Sequence, residues 1–413
     1  MIKNISIYTK KRSLKVPLVL VCCLLAIIAQ MSATIYLPAL FDIKKSLALS
    51  SAEAAVSFAL FVMCSAFGQL IFCGISDIFG RKKIILYGLI FAVLSTLFSA
   101  FSFNSYTFII SRCIDGLAVG AIIATSRAVL NDTHSEGALV SAVAISAIVA
   151  SFASMFSPII GAVIYKCFDS WASIFIVLSI IGILLFILAL RKLPESNLKI
   201  LTLEKKSFIR PLACNLKEVL TTNNKALSYM LACSLSFTIL FTYYVVSPFI
   251  FEEGLGLSRV NYSLLFLLTS GAFITGATSG KFLSRHFSQY SLISSAVYVL
   301  LCETVIFLLL YSIGIYDILS MLIYIIIAVF CVGLIFPLAM SKGVSYYKHL
   351  SGAAAAIMGF LQMFCSAIGM LVISFLPKTN PVFLCIIILI ISIIIIILMK
   401  IWAQNKTFTK SIA

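Results

Sequence analysis

The chain has 413 residues, of which 62% are hydrophobic and only 11% charged, and its formal net charge is +16. A soluble globular chain is nearer to about 45–50% apolar and about 25% charged, so a water-soluble protein is excluded. No polar stretch is long enough to fold as a separate soluble domain.

The apolar surplus comes in runs of about twenty residues, the length a helix needs to cross a hydrocarbon core about 30 Å thick. The tail 1–15 carries Lys3, Lys10, Lys11, Arg12 and Lys15, and span 1 follows at 16–40. This start resembles a signal peptide in outline. The apolar run is too long for a cleaved segment and no small-residue site ends it early, so it is read as a retained span. Gln30 and Thr34 are i,i+4 neighbours and share one of its faces. Span 2, at 53–76, runs into "GQLIFCGISDIFGRKK", Gly68 to Lys83, and span 3 covers 84–103. Gly68 lets a neighbouring helix approach closely. Asp77 and Arg81 bracket a tight turn at Gly80, followed by Lys82. An acid there should find a cation, and Arg127, at the same depth on span 4, is the expected partner in a latch.

Span 4, at 108–130, holds "SRCIDGLAVG". Arg112 and Asp115 lie three residues apart in an otherwise apolar run, where a central charge costs roughly 2.5–3.5 kcal/mol on insertion scales. At 1.5 Å per residue, Asp115 falls roughly 6 Å short of the span's midpoint near Val119. Desolvation disfavours the charged acid and a nearby cation favours it, so a group held between the two can switch as water comes and goes. Asp115, assisted by Arg112, is the candidate proton carrier; the alternative is a static pair that neutralises two charges. Spans 5 and 6 are expected at 137–165 and 172–190, with "SPIIG" in span 5. The polar stretch 191–224 carries Arg191, Lys192, Lys199, Lys205, Lys206, Arg210 and Lys217. The second half gives spans at 225–251, 260–282, 291–313, 318–340, 351–376 and 381–402, and a tail at 403–413. Phe237, Phe241 and Tyr244 form a stripe of helical spacing on span 7. Such a stripe suits an amphipathic ligand in a cavity, and packing is the plainer reading. Glu303 is a further embedded acid on span 9, expected to matter little for transport.

If the spans alternate, the basic residues of both tails, of the 2–3 loop and of 191–224 lie on one side. The opposite loops hold few: Lys44, Lys45, Lys166, Arg259 and Lys378. By the positive-inside rule, both termini and the central stretch face the cytoplasm, and the charge has no need of nucleic acid.

The halves repeat. Pro38, Phe41 and Asp42 at the end of span 1 match Pro248, Phe251 and Glu252 at the end of span 7, and "SPIIG" matches "SAIG" at Ser366 to Gly369. A near-constant offset predicts two pseudo-symmetric six-helix bundles, 16–190 and 225–402, with a substrate site at their interface. No Walker A motif is present; "GATSGK" is one residue short between its glycines. That leaves an ion gradient or facilitated diffusion, and no cofactor. A membrane-embedded enzyme would need a catalytic cluster. His134, His286 and His349 fall in three separate loops and read as solvated, and no G-x-S-x-G occurs. The twelve cysteines are scattered without a C-x-x-C, which argues against a metal site.

The 2–3 stretch resembles the signature loop of the major facilitator superfamily, matched by Gly68, Asp77, Gly80, Arg81 and Lys82, with Ile78 where the family usually has Arg. "YLPAL", "SPFIFEEGLGLS" and "GAAAAIMGFLQ" are similar to its Bcr/CflA branch of drug exporters. "RCIDGLAVGA" resembles the span-4 motif of that branch, matched at Arg112. "SPIIGA" resembles its antiporter motif at Pro158 and Gly161, with Ser157 and Ala162 replacing expected glycines. The resemblance implies a twelve-helix fold, a bacterial inner-membrane location and proton-driven export of amphipathic drugs or metabolites. It also implies a cavity lined by spans 1, 4, 7 and 10, including Gln30, Thr34, Phe237, Phe241 and Tyr244. The expected partners are a small-molecule substrate, protons and the bilayer, with the protein a monomer. Two departures stand out: Thr34 occupies the place of the branch's usual span-1 Asp, and Asp115 that of a usual Gln. A siderophore or metabolite transporter of either direction is the alternative, and a lipid scramblase or embedded enzyme the alternative of another class.

Overall fold

The computed structural model describes residues 16–134, 136–197, 209–347 and 351–403. Fourteen α-helices account for most of them: α1 (Val16–Thr34), α2 (Leu40–Ser46), α3 (Ser51–Phe79), α4 (Arg81–Ala100), α5 (Ser105–Thr133), α6 (Glu136–Phe168) and α7 (Ala172–Lys192) in the first half. A short α8 (Ile209–Thr221) precedes α9 (Asn224–Pro248), α10 (Arg259–Leu283), α11 (Gln289–Ser312), α12 (Ile318–Ser345), α13 (Ser351–Ser374) and α14 (Pro381–Leu398). Among the described residues, twelve helical stretches are long and apolar enough to cross a membrane. Residues such as Phe91, Leu94, Leu184, Leu309 and Ile390 are exposed on the outside of the bundle, where lipid rather than water is the matching solvent. Polar side chains punctuate the ends. Ser50 and Glu53 form a capping box at the start of α3, and Asn104 and Thr107 form another at the start of α5, each satisfying amide groups a helix start leaves orphaned.

The first helix of each half breaks at the repeated proline. After Thr34 the chain tightens into a 3-10 turn at Leu37–Ala39, with Pro38 inside it, before α2. α9 ends at Pro248 and widens into a π-helical turn at Phe249–Gly254. The lost amide of proline is the shared cause.

Helix pairing within the halves is also repeated. Between α3 and α5, a Cβ on Gly68 would strike the Leu117 carbonyl, one on Gly116 the Phe61 carbonyl, and one on Gly120 the Ser65 carbonyl. Between α10 and α12, Gly276 and Gly333 stand against the Phe330 and Phe273 carbonyls in the same way. Where lipid competes for apolar contact, such backbone approach is what holds helices together. Gly161 of α6 lies on the Ile35 carbonyl after α1, and Gly369 of α13 lies on Thr238 of α9. The halves meet where α3 runs along α13 and α6 along α10.

Candidate functional site

The embedded pair of α5 forms a three-way joint with α1. Arg112 and Asp115 are both fully buried. Arg112 Nη1 donates to Asp115 Oδ2 at 2.6 Å, and Ser32 Oγ of α1 donates to the same oxygen at 2.6 Å. Arg112 Nη2 donates to the Ser32 carbonyl at 2.8 Å. That carbonyl belongs to the last turn of α1, where intrahelical partners run out. The guanidinium sits 4.2 Å from the Phe61 ring centre and 4.6 Å from that of Tyr36. Two polar atoms stay without a hydrogen bond: Arg112 Nε and Asp115 Oδ1. The i,i+3 spacing announced the pair; Ser32, which fastens it to another helix, carries no signal in the sequence. Thr34 takes no part. Its hydroxyl donates to the Gln30 carbonyl of its own helix at 3.1 Å, and Gln30 is half-buried.

The basic turn after α3 corrects the expected latch. Asp77 pairs with Arg81, not with Arg127. Gly80 has φ 103°, a conformation that favours glycine, and it brings Arg81 back over the end of α3. Arg81 Nε then reaches Asp132 Oδ2 of α5 at 3.1 Å, and its Nη1 also holds Ser76. The Glu195 carboxylate accepts the Arg81 amide at 2.9 Å and the Lys82 amide at 3.2 Å. Lys82 Nζ donates to the Leu190 carbonyl at 2.8 Å, and Asn197 donates to the Asp77 carbonyl at 2.6 Å. The physical reason is depth and azimuth together, since Arg127 lies beside Gln69, about two turns before Asp77 on α3. Arg127 and Asp132 are five residues apart on α5, about 140° around the helix, so they cannot both face this turn. Arg127 faces the second half. Its Nη1 would be 3.3 Å from a Cβ placed on Gly359 of α13. The resulting knot ties α3 and α5 to Glu195 and Asn197 at the start of the polar stretch 191–224. Asp132 and Glu195 were not foreseen as its members.

At the opposite end the halves are tied by charge. Asp42 Oδ1 accepts from Arg259 Nη2 at 2.6 Å, and Lys44 Nζ reaches Glu253 Oε2 at 3.4 Å. Arg259 also lies 4.4 Å from the ring centre of Tyr165 on α6. These residues flank the two repeated proline motifs, so the repeat itself supplies the facing surfaces. Among the described residues, every ion pair between the halves lies at this end.

The aromatic stripe of α9 is a packed seam here. Phe237 lies against Phe336 of α12 with ring centres 5.0 Å apart, Phe241 against Phe58 of α3 at 6.0 Å, and Tyr244 against Phe266 of α10 at 5.4 Å. Phe241 and Tyr244 are buried. Pro158 lies inside α6, one turn before the Gly161 contact with Ile35. His134 is a second correction: it is buried at the end of α5, where the Thr133 hydroxyl and the Leu130 carbonyl lie at its Nδ1, rather than solvated. His349 lies outside the described residues. Glu303 has neither carboxylate oxygen hydrogen-bonded and lies on α11, away from the interface of the halves. A groove of about 420 Å³ between α11 and α14, lined by Tyr290, Tyr298 and Met399, is likewise remote from the buried charges.

The sequence profile of the Major Facilitator Superfamily matches residues 22–370. An uncharacterised MFS-type transporter of Bacillus subtilis, YdgK, is 29% identical over 355 residues, 84% of this chain and 85% of that protein. The multidrug resistance protein MdtL of a Shewanella species is 25% identical over 84% of this chain and 86% of its own. Among solved structures, that of a D-xylose–proton symporter superposes with a TM-score of 0.71 at 16% identity, covering 96% of this chain and all of that one (100%).

Proposed function

This chain belongs to the Major Facilitator Superfamily, and we propose that it is a proton-coupled exporter of amphipathic drugs or small metabolites, working by alternating access in the bacterial inner membrane. The reading takes the basic end as cytoplasmic, by the positive-inside rule, so both termini are cytoplasmic. The Asp42–Arg259 and Lys44–Glu253 pairs then close the periplasmic end. Export is supported by the multidrug resistance name of a relative that spans most of the chain. The bundle is complete in one chain, and the working unit in this reading is a monomer.

The observation that carries proton coupling is the Ser32–Arg112–Asp115 joint, in which Asp115 Oδ1 has no partner. As a carboxylate, Asp115 balances Arg112 and holds α1 to α5. A proton taken up at Oδ1 removes that balance and loosens the joint; its release restores it. Because Asp115 is sealed from water in this state, proton exchange requires another arrangement of the bundle, which is the condition for coupling. A proton moving down about 150 mV supplies about 3.5 kcal/mol, scaled from roughly 2.3 kcal/mol per 100 mV.

The test is transport by reconstituted vesicles under an imposed pH gradient, with ethidium as the probe. Asp115→Asn keeps the shape of the side chain and removes its titration. It is expected to abolish uphill accumulation while ethidium binding persists. Uphill transport at the parent rate by this variant would refute the assignment.

A further inference from the structure

Arg127 is left over once the basic turn is accounted for. Among the described residues it has no ion pair and no hydrogen bond, and it is exposed although it lies between helices. Beside it, Gln69 of α3 is 4% exposed, and its Nε2 has no partner. Opposite both stands Gly359 of α13, in the other half. A Cβ on Gly359 would be 3.1 Å from Gln69 Oε1 and 3.3 Å from Arg127 Nη1. Gly359, having no side chain, is therefore what lets Arg127 and Gln69 converge on α13.

The surroundings fix which way the notch faces. Phe67, two residues before Gln69, is exposed and meets Phe360 and Phe364 of α13 at ring-centre distances of 5.8 and 6.0 Å. Gln69 meets the same helix at the neighbouring Gly359, so the notch lies on the α3–α13 seam between the halves. At this notch, Arg127 brings a guanidinium with five N–H groups, and Gln69 an amide whose Oε1 stands nearest Gly359 and whose Nε2 has no partner. No carboxylate of the described residues reaches it. Asp132 is committed to Arg81, and Asp115 to Arg112. The same end carries Lys82, Lys83, Lys192, Lys281 and Lys342, whose summed field draws anions toward the mouth.

The geometry points to Arg127, Gln69 and Gly359 as an anion-binding notch between the halves, which receives the carboxylate of an amphipathic substrate. The inference rests on the transporter reading and narrows its substrate class. An Arg–carboxylate contact is planar and two-pronged, and the exposed Arg127 guanidinium, which has no ion pair or hydrogen bond among the described residues, can make it. Because the notch spans both halves, an occupied notch would bridge α3 and α5 to α13.

Binding separates this claim from proton coupling, because it needs no gradient. The full-length protein is placed in phosphatidylcholine nanodiscs, so that no anionic lipid competes. Coumarin-3-carboxylate and coumarin-3-carboxamide, which differ by one charge, are titrated by fluorescence anisotropy. The parent is expected to bind the carboxylate at least about tenfold more tightly than the amide. Arg127→Gln should reduce that preference to within about twofold, Arg127→Lys should keep part of it, and Gly359→Ala should weaken the carboxylate alone. Equal binding of the two probes by the parent, no binding of the carboxylate, or a preference that survives Arg127→Gln would each overturn the inference. Each would leave the Asp115 experiment untouched, so the two failures are distinguishable.

Discussion

Removing Arg259 should open the end of the molecule at which the halves are tied. Arg259 makes two contacts across the halves: the 2.6 Å bond to Asp42 and the 4.4 Å approach to the Tyr165 ring. Its side chain is 37% exposed and that of Asp42 is 20% exposed, so the pair is partly screened. An exposed pair contributes roughly 0.2–1 kcal/mol and an exposed cation–π contact roughly 0.5–1 kcal/mol. Arg259→Ala therefore forfeits about 0.7–2 kcal/mol of closure, which shifts the closed-to-open ratio by a factor of about 3–30. Helix damage does not confound the result. Arg259 is the first residue of α10, where a cation is unfavourable to the helix dipole. The assay is a pulsed electron-spin distance measurement between labels at Lys45→Cys and Ser258→Cys, both exposed, with the exposed Cys167, Cys214 and Cys302 replaced. The variant should gain a longer distance, and salt at 1 M, where the Debye length is about 3 Å, should move the parent the same way. An unchanged distance distribution in both would refute the reasoning.

What the sequence made legible was set by the range of the interactions. Apolar runs of about twenty residues specify spans locally, and twelve were countable without any partner. The first span was read through to residue 40, yet α1 stops at Thr34 and the chain tightens around Pro38. Apolar character continues across that break, so hydropathy is blind to it. Within 191–224, read as a polar stretch, α8 forms over Ile209–Thr221; seven dispersed basic residues hid a short helix. Arg112 and Asp115 were recognisable because three residues bring two side chains to one helix face. Ser32, 83 residues from Asp115, was not. Both depth and azimuth were misjudged for Arg127: it lies beside Gln69, about two turns before Asp77, and Asp132 is the α5 residue that faces the basic turn. The proline repeat was visible, but its meaning was not. It places Asp42 and Lys44 of one half against Arg259 and Glu253 of the other.

Two further substitutions probe how closely the helices must fit and where coupling resides. Gly161→Val would drive a Cβ into the Ile35 carbonyl; it should reduce transport severely with the protein still inserted, checked by membrane abundance alongside efflux, and near-parent efflux would mean the α1–α6 contact is dispensable. Glu303→Gln is the control for embedded acids. Glu303 shares with Asp115 a carboxylate oxygen without a hydrogen bond, in fact two. If an unpartnered buried carboxylate were sufficient for coupling, both residues would qualify. They differ in what they join. Asp115 binds Ser32 of another helix and Arg112 beneath two rings, in α5, which itself reaches α13 of the second half. Glu303 sits on α11, which packs on α12 and α14 within its own half. A proton on Glu303 therefore changes no contact between the halves. Glu303→Gln should retain at least about half of parent uphill transport, less than a 0.5 kcal/mol effect on the driving reaction. Complete loss at normal abundance would place a coupling group in the outer layer of the second half, and the assignment to the α1–α5 joint would have to be abandoned.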